Sequence, residues 1–409
     1  MNEGIIVIKQ GKEKPIENKH PWIFSGSIKF VDNDPRPGDI VQVVNTRGDF
    51  LARGYFNPTS QIRVRILTWV DEPIDENWWR AKIRRAVAGR VQLQEAYGDG
   101  VQNAARLVNA ENDYLPGLVV DRYGDWLVLQ SLTLGIDVRK HEIAAILADM
   151  LRPAGIYERS DVDIRQKEGL TDQTGLLWGD EEPPKTVEIE ENTLRFPVDI
   201  RNGHKTGYYL DQRDNRGWLH DMLYFESDLQ EDDERRVLNM FSYTGGFGLY
   251  ALAAGVAEVI NVDSSVPALE LAEQIVVDNG YPTENAHFIG GDAFEVLRDY
   301  AARGEHFDAV ILDPPKFAQS KRQIENATRG YKDLNLHAFK IIKPGGLLFT
   351  FSCSGAIDAD LFQKVVFGAL ADSGRHAQVI RKLGSSDDHP VALTFPEGNY
   401  LKGLICRVW

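Results

Sequence analysis

Cysteine is nearly absent: the 409 residues include two, Cys353 and Cys406. A disulfide framework and a cysteine-rich zinc site are thereby excluded, no metal is called for, and a reducing, cytoplasmic setting is the natural reading. Long apolar runs are missing too. No stretch approaches the ~20 residues that a membrane helix needs. The opening MNEGIIVIKQGKEK has neither the apolar region nor the cleavage site of a signal peptide. Positive charge is in deficit, with 46 Lys and Arg against 61 Asp and Glu and a net charge of −15. Taken alone, that argues against nucleic acid. The deficit is uneven, however: residues 1–90 carry 15 Lys and Arg against 11 Asp and Glu, a net +4, which leaves −19 on the rest. A basic binding module on an acidic enzyme has this asymmetry, and so does ordinary surface variation. What is present, 43% hydrophobic and 26% charged residues, suits a globular protein, and the length calls for two or three domains.

From Gly4 to about Thr68 short alternating segments (IIVIK, DIVQVVN, FLARGYFN, QIRVRILT) are separated by turns such as Pro37-Gly38-Asp39 and Arg47-Gly48-Asp49. This spacing predicts a small β-barrel or sandwich. In the last segment Ile62, Val64 and Ile66 fall on one face and Arg63 and Arg65 on the other, where they meet phosphates or merely water. KHPWIFSGSI (Lys19–Ile28), PGDIVQVVN and FLARGYFNP resemble a PUA domain, a compact RNA-binding barrel.

An acidic link, DEPIDEN, leads to a helix over 78–96 with Trp79, Ile83, Val87 and Val91 as its buried stripe and Arg80, Arg84 and Arg85 off it. A hairpin turning at Tyr123-Gly124-Asp125, a helix over 138–150 and a strand over 155–159 complete a small α+β middle domain. Expected domains are thus 1–72, 73–185 and 186–409. Another hairpin, turning at Glu191-Asn192, opens the third. GHKTGYYLDQRDNR (Gly203–Arg216) then reads either as a helix start capped by Asp211 or as a lid over a cofactor, and ESDLQEDDE (Glu226–Glu234) as an exposed loop.

From Arg236 the alternation of strand and helix is regular: VLNMF, EVINVD, HFIG, DAVILD and LLFTFSC, then HAQVIRKLG and LKGLICRVW without a helix after the last. Five parallel strands with a closing hairpin form a Rossmann-like α/β methyltransferase domain, as against a dehydrogenase. The first turn, Tyr243-Thr244-Gly245-Gly246-Phe247-Gly248, is not the G-x-G-x-x-G of dinucleotide enzymes. Its glycines let the backbone approach a ligand at a helix N-terminus. Asp263 after the second strand suits ribose hydroxyls. Asp292-Ala293-Phe294 after the third suits adenine, and together they favour S-adenosylmethionine over NAD. Either acid can instead be a helix N-cap.

Strand four ends in Asp313-Pro314-Pro315-Lys316-Phe317, at the carboxyl edge where open α/β sheets bind their ligands. The prolines fix the backbone of a loop suited to a flat base. Strand five ends in Phe351-Ser352-Cys353-Ser354. A lone cysteine is usually a small buried hydrophobe, and Cys406, inside LICRV, reads that way. Cys353, one strand from Asp313, reads as a nucleophile: a thiolate adding to carbon-6 of cytosine makes carbon-5 enamine-like, and Asp313 at ring N3 promotes the addition.

The order PUA-like barrel, α+β middle, then DPPKF and FSCS, with GHKTGYYLDQRDNR and NMFSYTGGFG, resembles the bacterial 23S ribosomal RNA cytosine-C5 methyltransferase I family over nearly the whole chain. The resemblance implies S-adenosylmethionine, large-subunit ribosomal RNA as substrate, Cys353 as nucleophile, and a cofactor site of Gln212, Tyr243, Thr244, Gly245, Gly246, Asp263, Asp292 and Ala293. Arg63, Arg65 and Lys316 are the candidate RNA contacts. Related RNA cytosine methyltransferases carry a second cysteine where this chain has Pro315-Lys316, so product release must use another base. A ribosomal RNA guanine (N7 or N2) methyltransferase and an S-adenosylmethionine-holding RNA-binding or assembly factor stay open as alternatives. The oligomeric state is also open, a homodimer included.

Overall fold

The computed structural model describes residues 3–96, 103–227, 234–318 and 320–409. The chain divides into two compact units, Met1–Leu210 with Asp387–Gly398, and Asp211–Ser386 with Asn399–Trp409. Most of the acidic stretch expected as a loop, residues 228–233, lies outside the described residues.

The first unit opens with β1 (Gly4–Ile8), α1 (Lys14–Glu17), β2 (Trp22–Phe24), β3 (Ile28–Asp32), β4 (Ile40–Val44), β5 (Phe50–Phe56) and β6 (Ile62–Thr68). These strands form one sheet in the order β2-β6-β5-β4-β1-β3. The period-2 alternation is what buries one face: Ile6 and Ile8, Val41 and Val43, Val64 and Ile66 meet in a single apolar cluster. Helix α2 (Glu76–Ala96) follows. It buries Trp79, Ile83 and Val87, but Val91, expected in the same stripe, is exposed. Four-residue steps overshoot a 3.6-residue turn by about 40° each, so three steps carry Val91 off the buried face. Arg90 is buried instead, its Nη1 and Nη2 on the Asp113 carboxylate at 2.8 and 2.7 Å.

A five-stranded sheet of order β11-β10-β9-β8-β7 comes next, from β7 (Ala104–Asn109), β8 (Leu118–Tyr123), β9 (Trp126–Ser131), β10 (Gly155–Ser160) and β11 (Gln173–Trp178). Helices α3 (Leu134–Asp137) and α4 (Lys140–Leu151) connect β9 to β10, and α5 (Ile164–Lys167) connects β10 to β11. The hairpin of β12 (Val187–Glu191) and β13 (Leu194–Val198) turns through Asn192 and Thr193, both at positive φ, one residue later than the sequence suggests.

The second unit carries α6 (Arg213–Ser227), β14 (Arg236–Met240), α7 (Gly246–Ala253), β15 (Glu258–Asp263), α8 (Val266–Asp278), β16 (Ala286–Gly290), α9 (Ala293–Arg303), β17 (Phe307–Leu312), α10 (Ile324–Ile341), β18 (Ile342–Ser352), α11 (Ala359–Ser373), β19 (Ala377–Leu383) and β20 (Lys402–Val408). Its sheet runs β16-β15-β14-β17-β18-β20-β19, parallel except at β20, which is antiparallel to both neighbours. The expected five parallel strands and closing hairpin are therefore present. Near-continuous Val, Ile and Leu in β14 and β17 reflect burial on both faces, with Val237, Leu238, Ala309, Val310 and Ile311 fully enclosed. The strand order reverses at β14, between β15 and β17, which opens a crevice at their carboxyl ends. Among the described residues no helix is long and apolar enough to cross a membrane, and no group of His, Cys, Asp and Glu could hold a metal ion.

Candidate active site

The loop leaving β14 turns tightly, with Phe241, Tyr243 and Gly245 all at positive φ (58°, 49° and 73°). Two of these are not glycine, so the conformation is held by its surroundings. Asp263 at the end of β15 supplies one restraint: its Oδ2 accepts the Tyr243 N–H at 2.8 Å and its Oδ1 the Ser265 N–H at 2.9 Å. Asp263 is thus not the cap of α8, a role taken by Ser265. A carboxylate has about four acceptor sites, so one held by two amides is oriented and still able to accept ribose hydroxyls. Gly248 is required where α7 crosses β15, since a Cβ there would stand 2.3 Å from Asn261 Oδ1. Thr244, Gly245 and Gly246 sit at the start of α7, which directs its first amides toward the same loop. These residues fit an adenosyl cofactor: an oriented acid, a glycine turn and an open helix start on one strand edge.

Asp292 does act as an N-cap, its Oδ1 accepting from Phe294 N at 2.9 Å and Glu295 N at 3.1 Å. The residue is nonetheless exposed at the carboxyl end of β16, followed by buried Ala293. Phe294 continues into an aromatic row, 6.1 Å from Phe317, which is itself 4.7 Å from Tyr331.

Asp313 follows β17 directly and Cys353 follows β18 directly, on adjacent parallel strands. Gln212, buried at the head of α6, donates Nε2–H to Asp313 Oδ2 at 2.9 Å, and its Oε1 accepts from Asn215 Nδ2 at 2.5 Å. The amide expected at the cofactor is therefore engaged in orienting the acid. Cys353 is half-buried, and its Sγ–H points at the Pro314 carbonyl at 3.9 Å. The D-P-P loop and the cysteine turn are thereby brought together. Cys406 is enclosed in β20, its thiol pushed up to about 12 by burial, which makes it inert. Lys316 is exposed on the loop after Pro315.

The turn that carries Cys353 rests on groups the sequence reading missed. Ser352 Oγ donates to Tyr331 Oη at 3.0 Å, and Tyr331 Oη and Ser354 Oγ are 3.1 Å apart. Ser354 Oγ also accepts the Ala318 N–H at 3.1 Å. This buried hydroxyl chain ties the end of β18 to α10 and to the loop after Asp313. Burial raises the Tyr331 phenol above its ordinary value, the nearby Cys353 adding to the rise and the Ser352 and Ser354 hydroxyls opposing it. Polar residues on either side of Cys353 were the available signal.

In the first unit the arginine strand departs from expectation. Arg65 is buried, with Nη1 on Glu111 Oε1 at 2.9 Å and Nη2 on Glu168 Oε1 at 2.8 Å. Trp22 Nε1, Ser60 Oγ and Asn57 Nδ2 donate to the same two carboxylates. Arg65 is thus a structural cation and not an RNA contact. Arg63 is half-buried, its Nη1 shielded from solvent. Replacing Arg65 with alanine leaves two buried carboxylates uncompensated, and the expected loss of stability is roughly 3–5 kcal/mol. Urea unfolding measures it. A surface phosphate contact would instead leave stability unchanged and lower the salt slope of RNA binding by about one.

Residues 6–69 match the model of a PUA-like domain, and residues 161–383 match that of an S-adenosylmethionine-dependent methyltransferase. Proteins named ribosomal RNA large subunit methyltransferase I are similar over their full lengths. The one from Tolumonas auensis is 47% identical over 404 residues, 98% of each chain. The one from Photobacterium profundum is 47% identical over 410 residues, all of both chains. This chain belongs to the ribosomal RNA large subunit methyltransferase I family. As a family member it is an S-adenosylmethionine-dependent methyltransferase with a PUA-like front domain. Among solved structures, a putative methyltransferase from Streptococcus mutans shares the fold, with a TM-score of 0.81 at 20% identity over 98% of this chain and 99% of that one. The family's methyltransferase match covers Asp263, Asp292, Asp313 and Cys353.

Proposed function

We propose that this protein methylates carbon-5 of a cytosine in large-subunit ribosomal RNA through a covalent adduct between Cys353 Sγ and carbon-6. One observation carries the reading: a half-exposed cysteine at the end of β18 faces the D-P-P loop, whose acid is oriented by a buried glutamine. The relatives' names supply the RNA class.

In the proposed reaction the Cys353 thiolate adds its electron pair to carbon-6, and the 5,6 double bond shifts so that ring N3 gains electron density. Asp313 in its acid form gives N3 a proton, leaving a neutral enamine. S-adenosylmethionine, when bound, supplies the methyl group that carbon-5 takes up. A base then removes the carbon-5 proton, the carbon–sulfur bond breaks to return the thiolate, and N3 gives its proton back to Asp313. Tyr243, Thr244, Gly245, Gly246, Asp263, Asp292 and Ala293 hold the cofactor in this reading, while Gln212 serves Asp313. Arg63 and Lys316 remain the proposed RNA contacts, and residues 1–72, 73–185 and 186–409 the proposed functional divisions.

A ribosomal RNA fragment containing 5-fluorocytosine tests the chemistry, because fluorine at carbon-5 blocks the final proton loss. With S-adenosylmethionine present, a protein–RNA species stable to denaturing electrophoresis is expected. Its absence, with methyl still entering unsubstituted RNA at guanine N7 or N2, would overturn the cytosine reading. Absence of all methyl incorporation would favour an assembly factor.

A further inference from the structure

Beneath the Cys353 turn lies a cation that the reaction above does not use. Lys402 opens β20, directly opposite Ser352 in the antiparallel register, one residue from Cys353. It is 8% exposed. Its Nζ donates to the Ser354 carbonyl at 2.7 Å and to the Ile357 carbonyl at 2.6 Å. The Ser354 carbonyl also accepts the Ile357 N–H at 3.1 Å, so the ammonium closes the turn from below. Among the described residues no carboxylate lies within ion-pair distance of Lys402. A buried ammonium satisfied only by neutral carbonyls is costly unless an anion comes near.

We propose that Lys402 is a positioning residue for Cys353, clamping its turn through the two carbonyls and setting a positive charge beside the sulfur that favours the thiolate. This rests on the reading of Cys353 as the nucleophile. The arrangement follows the general chemistry of reactive cysteines, which sit next to a cation in partly exposed sites. Strand β20 thus does more than close the sheet. It delivers the charge from the opposite side to the D-P-P loop.

The groups that act on Lys402 are Cys353 and Asp358, which favour its charged form, and Lys316, which opposes it. Burial outweighs them and lowers its amine to about 8. Tyr331 is a further titratable side chain against the turn. Below pH 8 Lys402 is protonated, favours the thiolate and holds the two carbonyls by charge; above about 8 the thiol ionises without that help, and what is lost is the charge that holds the turn in place. The pH profile of kcat/KM in the holoenzyme should therefore carry an alkaline limb near pH 8.

Lys402→Arg keeps a charge that does not titrate below pH 12, so the alkaline limb should disappear. Lys402→Met should raise the pH midpoint of Cys353 alkylation by iodoacetamide by about 1–3 units, with Cys353 located by peptide mass mapping. A merely structural clamp would slow turnover in both variants without moving either midpoint. Unchanged alkylation in Lys402→Met overturns the proposal. Should that variant fail to fold, retention of the limb near pH 8 in Lys402→Arg overturns it equally. Adduct formation on 5-fluorocytosine RNA by the unmodified enzyme separates the two claims. If that adduct is missing, the nucleophile reading falls, whatever Lys402 does to the thiol.

Discussion

Replacing Cys353 with alanine is expected to lower methyl incorporation into RNA by roughly three orders of magnitude or more, the scale on which enzymes lose a covalent nucleophile. The size of the effect follows from cytosine itself. Carbon-5 carries too little electron density to accept a methyl group until a nucleophile occupies carbon-6, so no alternative path of similar barrier is open. Serine at the same position should fail as well, because its hydroxyl does not ionise near neutral pH as a thiol does. Neither variant should unfold the protein. Cys353 is half-buried in a turn fixed by the Tyr331 and Ser354 hydroxyls and by Lys402, none of which needs the sulfur. The cofactor turn is equally independent of it, so S-adenosylmethionine affinity by calorimetry should stay within about twofold. Methyl transfer at more than a tenth of the normal rate in Cys353→Ala would sink covalent catalysis and favour direct transfer to a guanine nitrogen.

Much of the second unit was legible because its signals are local. Apolar runs ending in Asp263, Gly291-Asp292 and Asp313 mark strands whose carboxyl ends must share one edge, and a parallel sheet allows little else. The D-P-P loop and Cys353 could be read together because each ends a strand and the two strands are neighbours. What failed to show was long-range. Alternation put Arg65 on a different face from Val64 and Ile66, yet whether that face is open depends on Glu111 and Glu168, 46 and 103 residues away. Val91 failed for a different reason, as a four-residue spacing that drifts around a real helix. Lys402 carries no motif of its own within LKGLICRVW. Its partners are carbonyls 45 and 48 residues upstream, and backbone acceptors leave no trace in a sequence. The Gln212–Asp313 hydrogen bond could not be read either, because the two residues lie 101 positions apart.

The acid gives the second large effect. Asp313→Asn is expected to reduce kcat by about 10²–10⁴-fold, the range for loss of a general acid, with little change in KM for RNA. An asparagine has the shape of the aspartate, and its carbonyl can still accept the Gln212 Nε2–H that Asp313 Oδ2 receives at 2.9 Å. The loop geometry should therefore survive. What is lost is the proton that N3 must gain as electrons leave the 5,6 bond. The asparagine amide can still donate a hydrogen bond to N3, so some activity should remain. Asp313→Ala removes that donor too and leaves the buried Gln212 amide without its acceptor. The expected order of rates is thus aspartate, asparagine, alanine, each step separately resolved. Formation of the 5-fluorocytosine adduct should fall in the same order, because protonation of N3 belongs to the step in which the carbon–sulfur bond forms. If Asp313 served only to shape the loop, asparagine would match aspartate in both measurements. If it acted only on the methyl transfer that follows, turnover would fall while adduct formation held. A parallel decline in the two would tie the acid to the same bond-forming step as Cys353.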